Sequence, residues 1–190
     1  MKKNSAASHA LIALLVLLAD LASKAWAIAR LTRAFGPLGQ PPLPLGEQLQ
    51  RFLWTEHPTH APPVAVLDCC WHFRYVENPG AAWGFLAGTT SAWRTPFFLV
   101  ISVLAMGFLL RYFSQTQASQ RLLRFALALV FGGAVGNFVD RIRLGYVIDF
   151  IDWHWRQAAT WPTFNVADAA ISVGVGLLFL DMFVPRRTNV

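Results

Sequence analysis

The stretch Gly136 to Ala170, GNFVDRIRLGYVIDFIDWHWRQAATWPTFNVADAA, decides how the rest of the chain is interpreted. It places acids beside long apolar runs, although only 14% of the residues in the chain are charged. These acids are Asp140, Asp149, Asp152 and Asp168. Carboxylates in or beside a bilayer usually face a protein interior or a water-filled cavity and mark a functional site. The stretch therefore predicts a site built from acids, held at one depth by the remaining segments.

The composition indicates an integral membrane protein. With 190 residues, 55% of them hydrophobic, the chain cannot keep its apolar surface in water and reads as one domain, 1–190, seated in lipid. A spanning helix needs about 20 mostly apolar residues, and the segments that qualify are about 9–29, 95–113, 121–140 and 166–184. We therefore expect an all-α membrane protein with four transmembrane helices and a small extracytoplasmic β/loop region after helix one.

The basic residues predict orientation rather than a nucleic-acid partner. The formal net charge is +6, but the basic residues form no dense patch or stripe and lie mainly beside the apolar runs. The short flanks are basic and lack acids, whereas the 31–94 loop balances bases with acids. The positive-inside rule then puts both termini in the cytoplasm, with the 31–94 and 141–165 loops outside.

The first apolar run allows two interpretations. A basic start, an apolar run and Ala25-Trp26-Ala27 resemble a cleavable signal peptide. Asp20 and Lys24 argue instead for a retained helix, because residues four apart share a helix face and can pair. Lys24 could also extend to the outer interface. For both residues, a structural ion pair is the alternative to a role in the site.

The segment after helix one is rich in proline and glycine, which predicts an irregular external loop with short strands. By aromatic content and partial alternation, the strand candidates are Arg51–Trp54 and Trp71–Val76. The loop residues whose side chains could bind a metal ion are His57, His60, Cys69, Cys70 and His72. Their spacing matches no zinc pattern with paired ligands, so no metal site and no cofactor are expected. Whether the two cysteines pair is left open, and packing beside tryptophans accounts for His154.

Two polar groups flank the central stretch. Asn78-Pro-Gly80 marks a turn where small residues allow close approach, and Asn78 either caps this turn or offers its amide to the site. Asn137, Asp140 and Arg141 share one face at the end of the third span. This arrangement favours a structural cluster that pins a loop through charge-assisted hydrogen bonds over a catalytic role. Gly132 and Gly136, on the same helix, form a small-xxx-small face for close packing.

Asp168 has a structural and a chemical interpretation. Asn165 is a good N-cap and Asp168 falls at the third helical position, where an acid completes a capping box. Alternatively, two neighbouring carboxyl groups in a poorly solvated site share one proton and can activate water against a peptide carbonyl. Spacing alone leaves open whether Asp149 or Asp152 would partner Asp168.

The chain resembles the lipoprotein signal peptidase (signal peptidase II) family. The segments that match the family's five motif blocks, in order, are Asp20-Leu-Ala-Ser-Lys24, Asn78-Pro-Gly-Ala-Ala-Trp83, Gly136-Asn-Phe-Val-Asp-Arg141, Val147-Ile-Asp-Phe150 and Phe164-Asn-Val-Ala-Asp168. The resemblance implies a membrane aspartic endopeptidase with an Asp149/Asp168 catalytic dyad. It further implies a supporting set: Asp20, Lys24, Asn78, Gly80, Asn137, Asp140, Arg141 and Asn165.

The resemblance also implies the setting. Family members act in the bacterial inner membrane, cut prolipoproteins just before a diacylglyceryl-modified cysteine, and are blocked by globomycin. The sequence departs from the family pattern in the proline-rich 36–72 region, which looks longer than the family's usual external segment. One rival hypothesis is a small proton-coupled transporter or ion-conducting helix bundle, in which Asp20, Asp140 and Asp168 would form a relay at several depths. Another is a purely structural membrane subunit.

Overall fold

The structure is a computed structural model that describes residues 2–36, 41, 43–80, 93–155 and 159–184. In order, the elements are α1 (Lys2–Leu31), α2 (Leu45–Trp54), β1 (Val64–Leu67), β2 (Trp71–Asn78), α3 (Arg94–Gln115), α4 (Arg121–Leu144), β3 (Val147–Trp155), β4 (Ala159–Thr160) and α5 (Val166–Asp181). For residues 2–6 the structure describes the backbone only.

Three helices within the described ranges are long and apolar enough to cross a membrane: Ala7–Leu31, Arg94–Gln115 and Arg121–Leu144. Helix α3 exposes Val100, Leu104 and Phe108, which is the surface expected of a lipid-facing helix. The prediction of a helical membrane protein is confirmed to this extent. The described part of α5 is shorter, at 16 residues.

Helix α4 lies at the centre and packs against α1, α3 and α5. Glycines of α4 allow α1 and α5 to approach closely. A Cβ on Gly132 would lie 2.6 Å from the Ala13 carbonyl oxygen of α1, and one on Gly133 would lie 2.5 Å from the Ala167 carbonyl oxygen of α5. Gly136 packs against the Asp20 carboxylate. The predicted small-residue packing face is therefore confirmed.

The strands form one antiparallel sheet in the order β1-β2-β3-β4. Strands β1 and β2 follow α1, but β3 and β4 come from the segment between α4 and α5. The predicted β region after helix one is thus only half of the sheet. In the β2–β3 register, Val76 lies opposite Asp149 and Asn78 opposite Val147. This pairing brings two distant segments of the chain to the same site.

One of the two strand predictions is correct. Trp71–Val76 lies within β2, whereas Arg51–Trp54 is the end of helix α2, so that prediction was wrong. Leu45, Leu49 and Phe52 recur at helical spacing, and this period outweighs the aromatic content that suggested a strand. The guanidinium of Arg143 lies 3.9 Å above the Phe52 ring, which anchors α2 to α4.

The sheet packs on the end of α1. Ala27 and Leu31 of α1 share a buried cluster with Tyr75, Ile148 and Phe150 from the sheet. Cys69 and Cys70 form a disulfide in the β1–β2 turn, which answers the question the sequence left open. This packing places the start of β3 directly beside the ends of α1 and α4.

Candidate active site

A cavity of about 620 Å³ lies where β2, β3, α4 and α5 meet. Asp149 of β3 and Asp168 of α5 both line it, with Asn78, Asn137 and Arg141 beside them. Trp153, Trp161 and Phe164 form part of the apolar wall. The cavity therefore combines a few polar groups with a hydrophobic lining, which is typical of a ligand site.

Asp149 is buried in this site, with 1% of its surface exposed. Its Oδ2 accepts a hydrogen bond from Nδ2 of Asn78 at 2.9 Å, and its Oδ1 accepts one from Nδ2 of Asn165 at 2.8 Å. Asn78 also accepts from the Gly80 backbone N–H at 3.0 Å. The Asn78 side chain therefore caps the turn through its oxygen and contacts Asp149 through its nitrogen.

Asp168 is both a capping residue and a group of the cavity. Its Oδ2 accepts from the Asn165 backbone N–H at 3.3 Å, and Oδ1 of Asn165 accepts from the Asp168 backbone N–H at 2.9 Å, so the predicted capping box is confirmed. The other oxygen, Oδ1, accepts from Nδ2 of Asn137 at 2.8 Å. The two interpretations of Asp168 are therefore compatible.

Asn165 joins the two acids through one side chain. Its Nδ2 donates to Asp149, while its Oδ1 holds the first turn of the helix that carries Asp168. The same Nδ2 lies 3.1 Å from Oδ1 of Asn137. The relative positions of the two carboxyl groups are consequently set by hydrogen bonds of one buried amide side chain.

A buried ion network lies behind the cavity. Lys24 is 0% exposed and contacts Asp20 at 2.8 Å and Asp140 at 2.7 Å, so the predicted pair with Asp20 is confirmed but the predicted reach to the interface is wrong. Asp140 also pairs with Arg143 at 2.8 Å and accepts from the Ile148 backbone N–H at 3.1 Å. The network thereby fixes the start of β3.

The same network reaches α5 and the asparagines. Oδ1 of Asp20 accepts from the Ala167 backbone N–H at 3.0 Å, and Lys24 donates to Oδ1 of Asn137 at 3.3 Å. Removing a partner from a buried ion pair leaves an uncompensated charge. The cavity lining does not include Asp20, Lys24 or Asp140. These residues support the site indirectly, through their contacts with β3, α5 and Asn137.

Arg141, which lines the cavity, contacts Gly80. Nη2 of Arg141 donates to the Gly80 carbonyl oxygen at 3.0 Å, and its guanidinium lies 5.1 Å above the Phe98 ring. Asp140, which the sequence grouped with Arg141, instead pairs with Arg143. Arg143 was missed, although its position three residues after Asp140 on a helix was a sequence signal.

Asp152 takes a different position from Asp149. Residues three apart on a strand point to opposite faces, and the Asp152 carboxylate pairs with Nε of Arg74 at 2.9 Å. Within the described chain, the acids that line the cavity are Glu77, Asp149 and Asp168. The aromatic wall of the cavity carried no comparable sequence signal, because its residues come from separate segments.

The environment changes the acidity of Asp149. Burial, followed by the nearby Asp168 carboxylate, raises its pKa to about 8, against the opposing hydrogen bonds from Asn78 and Asn165 and the charge of Lys24. At neutral pH this carboxyl group is mostly protonated. A protonated acid beside a second carboxyl group can supply both the general acid and the general base of a hydrolysis.

A helical membrane protein with two aspartates lining one cavity has the organisation of a membrane aspartic peptidase. A family model described as Signal peptidase (SPase) II, of the peptidase A8 type, matches residues 12–184. The chain belongs to the signal peptidase II family, and the predicted family and enzyme class are confirmed.

Relatives and solved structures agree with this assignment. A lipoprotein signal peptidase of Anaeromyxobacter sp. (strain Fw109-5) is 48% identical over 165 residues, covering 85% of this chain and 77% of the relative. One from Syntrophus aciditrophicus (strain SB) is 42% identical over 141 residues, covering 74% and 87%. A solved bacterial membrane enzyme has a TM-score of 0.66 at 27% identity, covering 97% of this chain and 94% of its own.

Proposed function

We propose that this signal peptidase removes signal peptides from diacylglyceryl-modified prolipoproteins with an Asp149/Asp168 catalytic dyad, cutting before the lipidated cysteine. The observation that carries the proposal is the convergence of both carboxyl groups on one cavity, joined by the Asn165 side chain. This chemistry needs no side-chain nucleophile, because the paired acids can activate a water molecule directly.

The proposed reaction uses one shared proton. The raised pKa of Asp149 favours a proton on that residue, and Asp168 accepts a proton from water. The water oxygen bonds to the scissile carbonyl carbon while the Asp149 proton supports the developing oxyanion. The C–N bond then breaks and a proton passes to the leaving amine, which restores the one-proton state of the pair.

The supporting residues position the dyad rather than react. Asn78 and Asn165 orient the carboxyl group of Asp149, and Asn137 orients that of Asp168. The Arg141 contact with the Gly80 carbonyl holds the turn that carries Asn78 near α4. Small displacements of such groups cost large factors in rate, because the reacting atoms must be held in line.

The proposed membrane arrangement includes a fourth span beginning at Val166. The single domain 1–190 then has spans of about 9–29, 95–113, 121–140 and 166–184, both termini in the cytoplasm, and loops 31–94 and 141–165 outside the inner membrane. The basic, acid-free short flanks support this orientation. The dyad, at the start of β3 and of α5, would lie near the outer face.

This depth suits a lipid-modified substrate. The acyl chains of a diacylglyceryl cysteine can stay in the leaflet while the scissile bond reaches the acids. The apolar wall that includes Trp153, Trp161 and Phe164 supports binding of such a substrate, and of globomycin-type inhibitors at the same cavity.

The test is cleavage of a diacylglyceryl-modified prolipoprotein by purified protein. Asp149→Asn and Asp168→Asn should each lower kcat by about 10³-fold or more, because neither amide can exchange the required proton. Asp152→Asn is the matched control, since Asp152 is an aspartate on the same strand but pairs with Arg74 outside the cavity lining.

Unchanged melting temperatures would separate loss of chemistry from loss of fold. Full activity of Asp149→Asn or Asp168→Asn would overturn the dyad. Loss of activity in a folded Asp152→Asn variant would overturn the distinction between the two strand acids.

A further inference from the structure

A second group of metal-ligand side chains lies on the sheet, formed by His72 of β2 with Asp152 and His154 of β3. One donor atom from each residue lies within 4.8 Å of the other two. His72 is directly opposite Asp152 in the strand register, and the two imidazole rings are 4.4 Å apart between centroids. The backbone N–H of His154 donates to the Cys70 carbonyl at 3.0 Å, which fixes this end of β3.

The Asp152 carboxylate is only partly satisfied. The residue is 8% exposed, and its Oδ2 pairs with Arg74 at 2.9 Å and lies 4.0 Å from Nδ1 of His154. Its Oδ1 is buried, and among the described residues it has no hydrogen-bond partner. An unsatisfied buried oxygen is costly, and each such group in a native structure calls for an explanation.

We propose that His72, Asp152 and His154 form a divalent transition-metal site that binds Zn²⁺. Two imidazole nitrogens and one carboxylate oxygen are a donor set that suits zinc or copper and disfavours magnesium or calcium. Zinc would take the orphaned Oδ1 and leave a fourth position for water. The site is separate from the peptidase chemistry, since none of its ligands lines the catalytic cavity.

The geometry needs only side-chain adjustment. Donor atoms of a tetrahedral zinc site are about 3.4 Å apart, so the cluster must contract by little more than an ångström. Arg74 pairs with Oδ2 of Asp152 and so leaves Oδ1 available to a metal ion. The Arg74 side chain is 47% exposed and also donates to Thr163 at 3.1 Å. Bound zinc would tie β2 to β3, the strand that carries Asp149, and would stabilise the folded chain by mass action.

The loop histidine spacing predicted no metal site, because the ligands that meet here belong to two different strands. His57 and His60, which the sequence grouped with His72, have other partners. His57 contacts Glu77 and His60 packs its ring against Tyr75. They therefore provide internal controls with the same ligand chemistry.

The experiment is zinc binding by the whole detergent-purified protein, free of affinity tags and stripped with chelator. Equilibrium dialysis and elemental analysis should give one Zn²⁺ per chain. His72→Ala and His154→Ala should each weaken binding at least tenfold, while His60→Ala and Asp149→Asn should leave it unchanged. Co²⁺ should show the intense visible bands of a four-coordinate site in wild type and lose them in His72→Ala.

Two further measurements complete the test. A Cys69→Ser/Cys70→Ser variant should bind zinc like wild type, which excludes thiolates released from the disulfide. Metal-free His72→Ala should cleave substrate and melt like metal-free wild type, which shows that it folds. Zinc bound equally by wild type and His72→Ala, or no zinc above the level of the His72→Ala/His154→Ala double variant, would overturn the site.

Discussion

At the scale of single residues, the candidate active site depends on asparagines more than on charges. An amide offers donors at one end and an acceptor at the other, and Asn78 and Asn165 use both ends. Asn165 donates to Asp149 and accepts from the backbone of Asp168, while Asn78 donates to Asp149 and accepts from Gly80. Such groups orient acids without adding a charge, although their hydrogen bonds to Asp149 oppose the rise of its pKa.

The protonation of Asp149 predicts the alkaline limit of activity. If its proton is required, kcat/KM should fall as pH rises through about 8, because the raised pKa keeps the group protonated below that value. The measurement is the initial cleavage rate from pH 6 to pH 10 at subsaturating substrate. A rate that stays constant to pH 10 would contradict the proposed proton donor.

The same shift predicts a pH-dependent stability. Because the folded-state pKa of Asp149 is above the unfolded value of 3.8, the folded protein binds the extra proton between these values and loses stability as pH rises towards about 8. The melting temperature in detergent should therefore decline from pH 6 to pH 8, with a smaller slope in Asp149→Asn. Equal slopes for the two proteins would mean that Asp149 is not the titrating group.

Lys24 should be a large single contributor to stability. Lys24→Met leaves Asp20 without its lysine partner in a fully buried position, and the expected cost is about 3 kcal/mol. For a chain of this length that corresponds to a fall in melting temperature of about 8 °C.

Arg30→Met is the matched control for Lys24→Met, because Arg30 is an exposed cation on the same helix and its replacement should change the melting temperature little. Equal effects of the two substitutions would contradict a buried role for Lys24.

At the scale of elements, α4 is the helix on which the others are placed. Its glycines let α1 and α5 approach to backbone contact, and its last turns carry Asn137, Asp140 and Arg141. Because Asp168 directly follows Ala167, the residue that Gly133 contacts, the spacing of α4 and α5 controls the position of the proposed dyad.

Gly133→Ala should therefore lower activity by about 10-fold to 100-fold. Its new methyl group would lie 2.5 Å from the Ala167 carbonyl oxygen and must push α5 away, and displacements of about 1 Å in an active site cost up to about 10²-fold. Gly107→Ala on α3, where a Cβ would meet nothing within 4 Å, should leave cleavage unchanged. Comparable activities of the two variants would show that the helix spacing tolerates a methyl group.

At the scale of the whole molecule, the helices and the sheet form one supporting structure. The sheet takes two strands from each of two separate segments, and the buried ion network joins α1, α4, β3 and α5. The order of membrane crossings then determines which side of the bilayer receives the cavity.

The proposed topology predicts the labelling of single cysteines introduced into a Cys69→Ser/Cys70→Ser background. In intact cells with a permeabilised outer membrane, Glu56→Cys should react with a membrane-impermeant maleimide, whereas Ser119→Cys should not. Lysis should make both react, which controls for accessibility, since both positions are exposed. Labelling of Ser119→Cys before lysis would reverse the orientation.

The sequence by itself determined the class of this protein, its acidic motifs and the helix start at Asn165. These features depend on composition, on hydrophobic runs and on contacts within one turn of helix, all of which are local.

The tertiary structure decided which residues meet. Pairing of β2 with β3 put Asn78 beside Asp149, and strand alternation separated Asp152 from the cavity. Packing of α1 on α4 buried Lys24 between Asp20 and Asp140. The strand pairing and the helix packing depend on contacts between segments far apart in the chain, which no local pattern specifies.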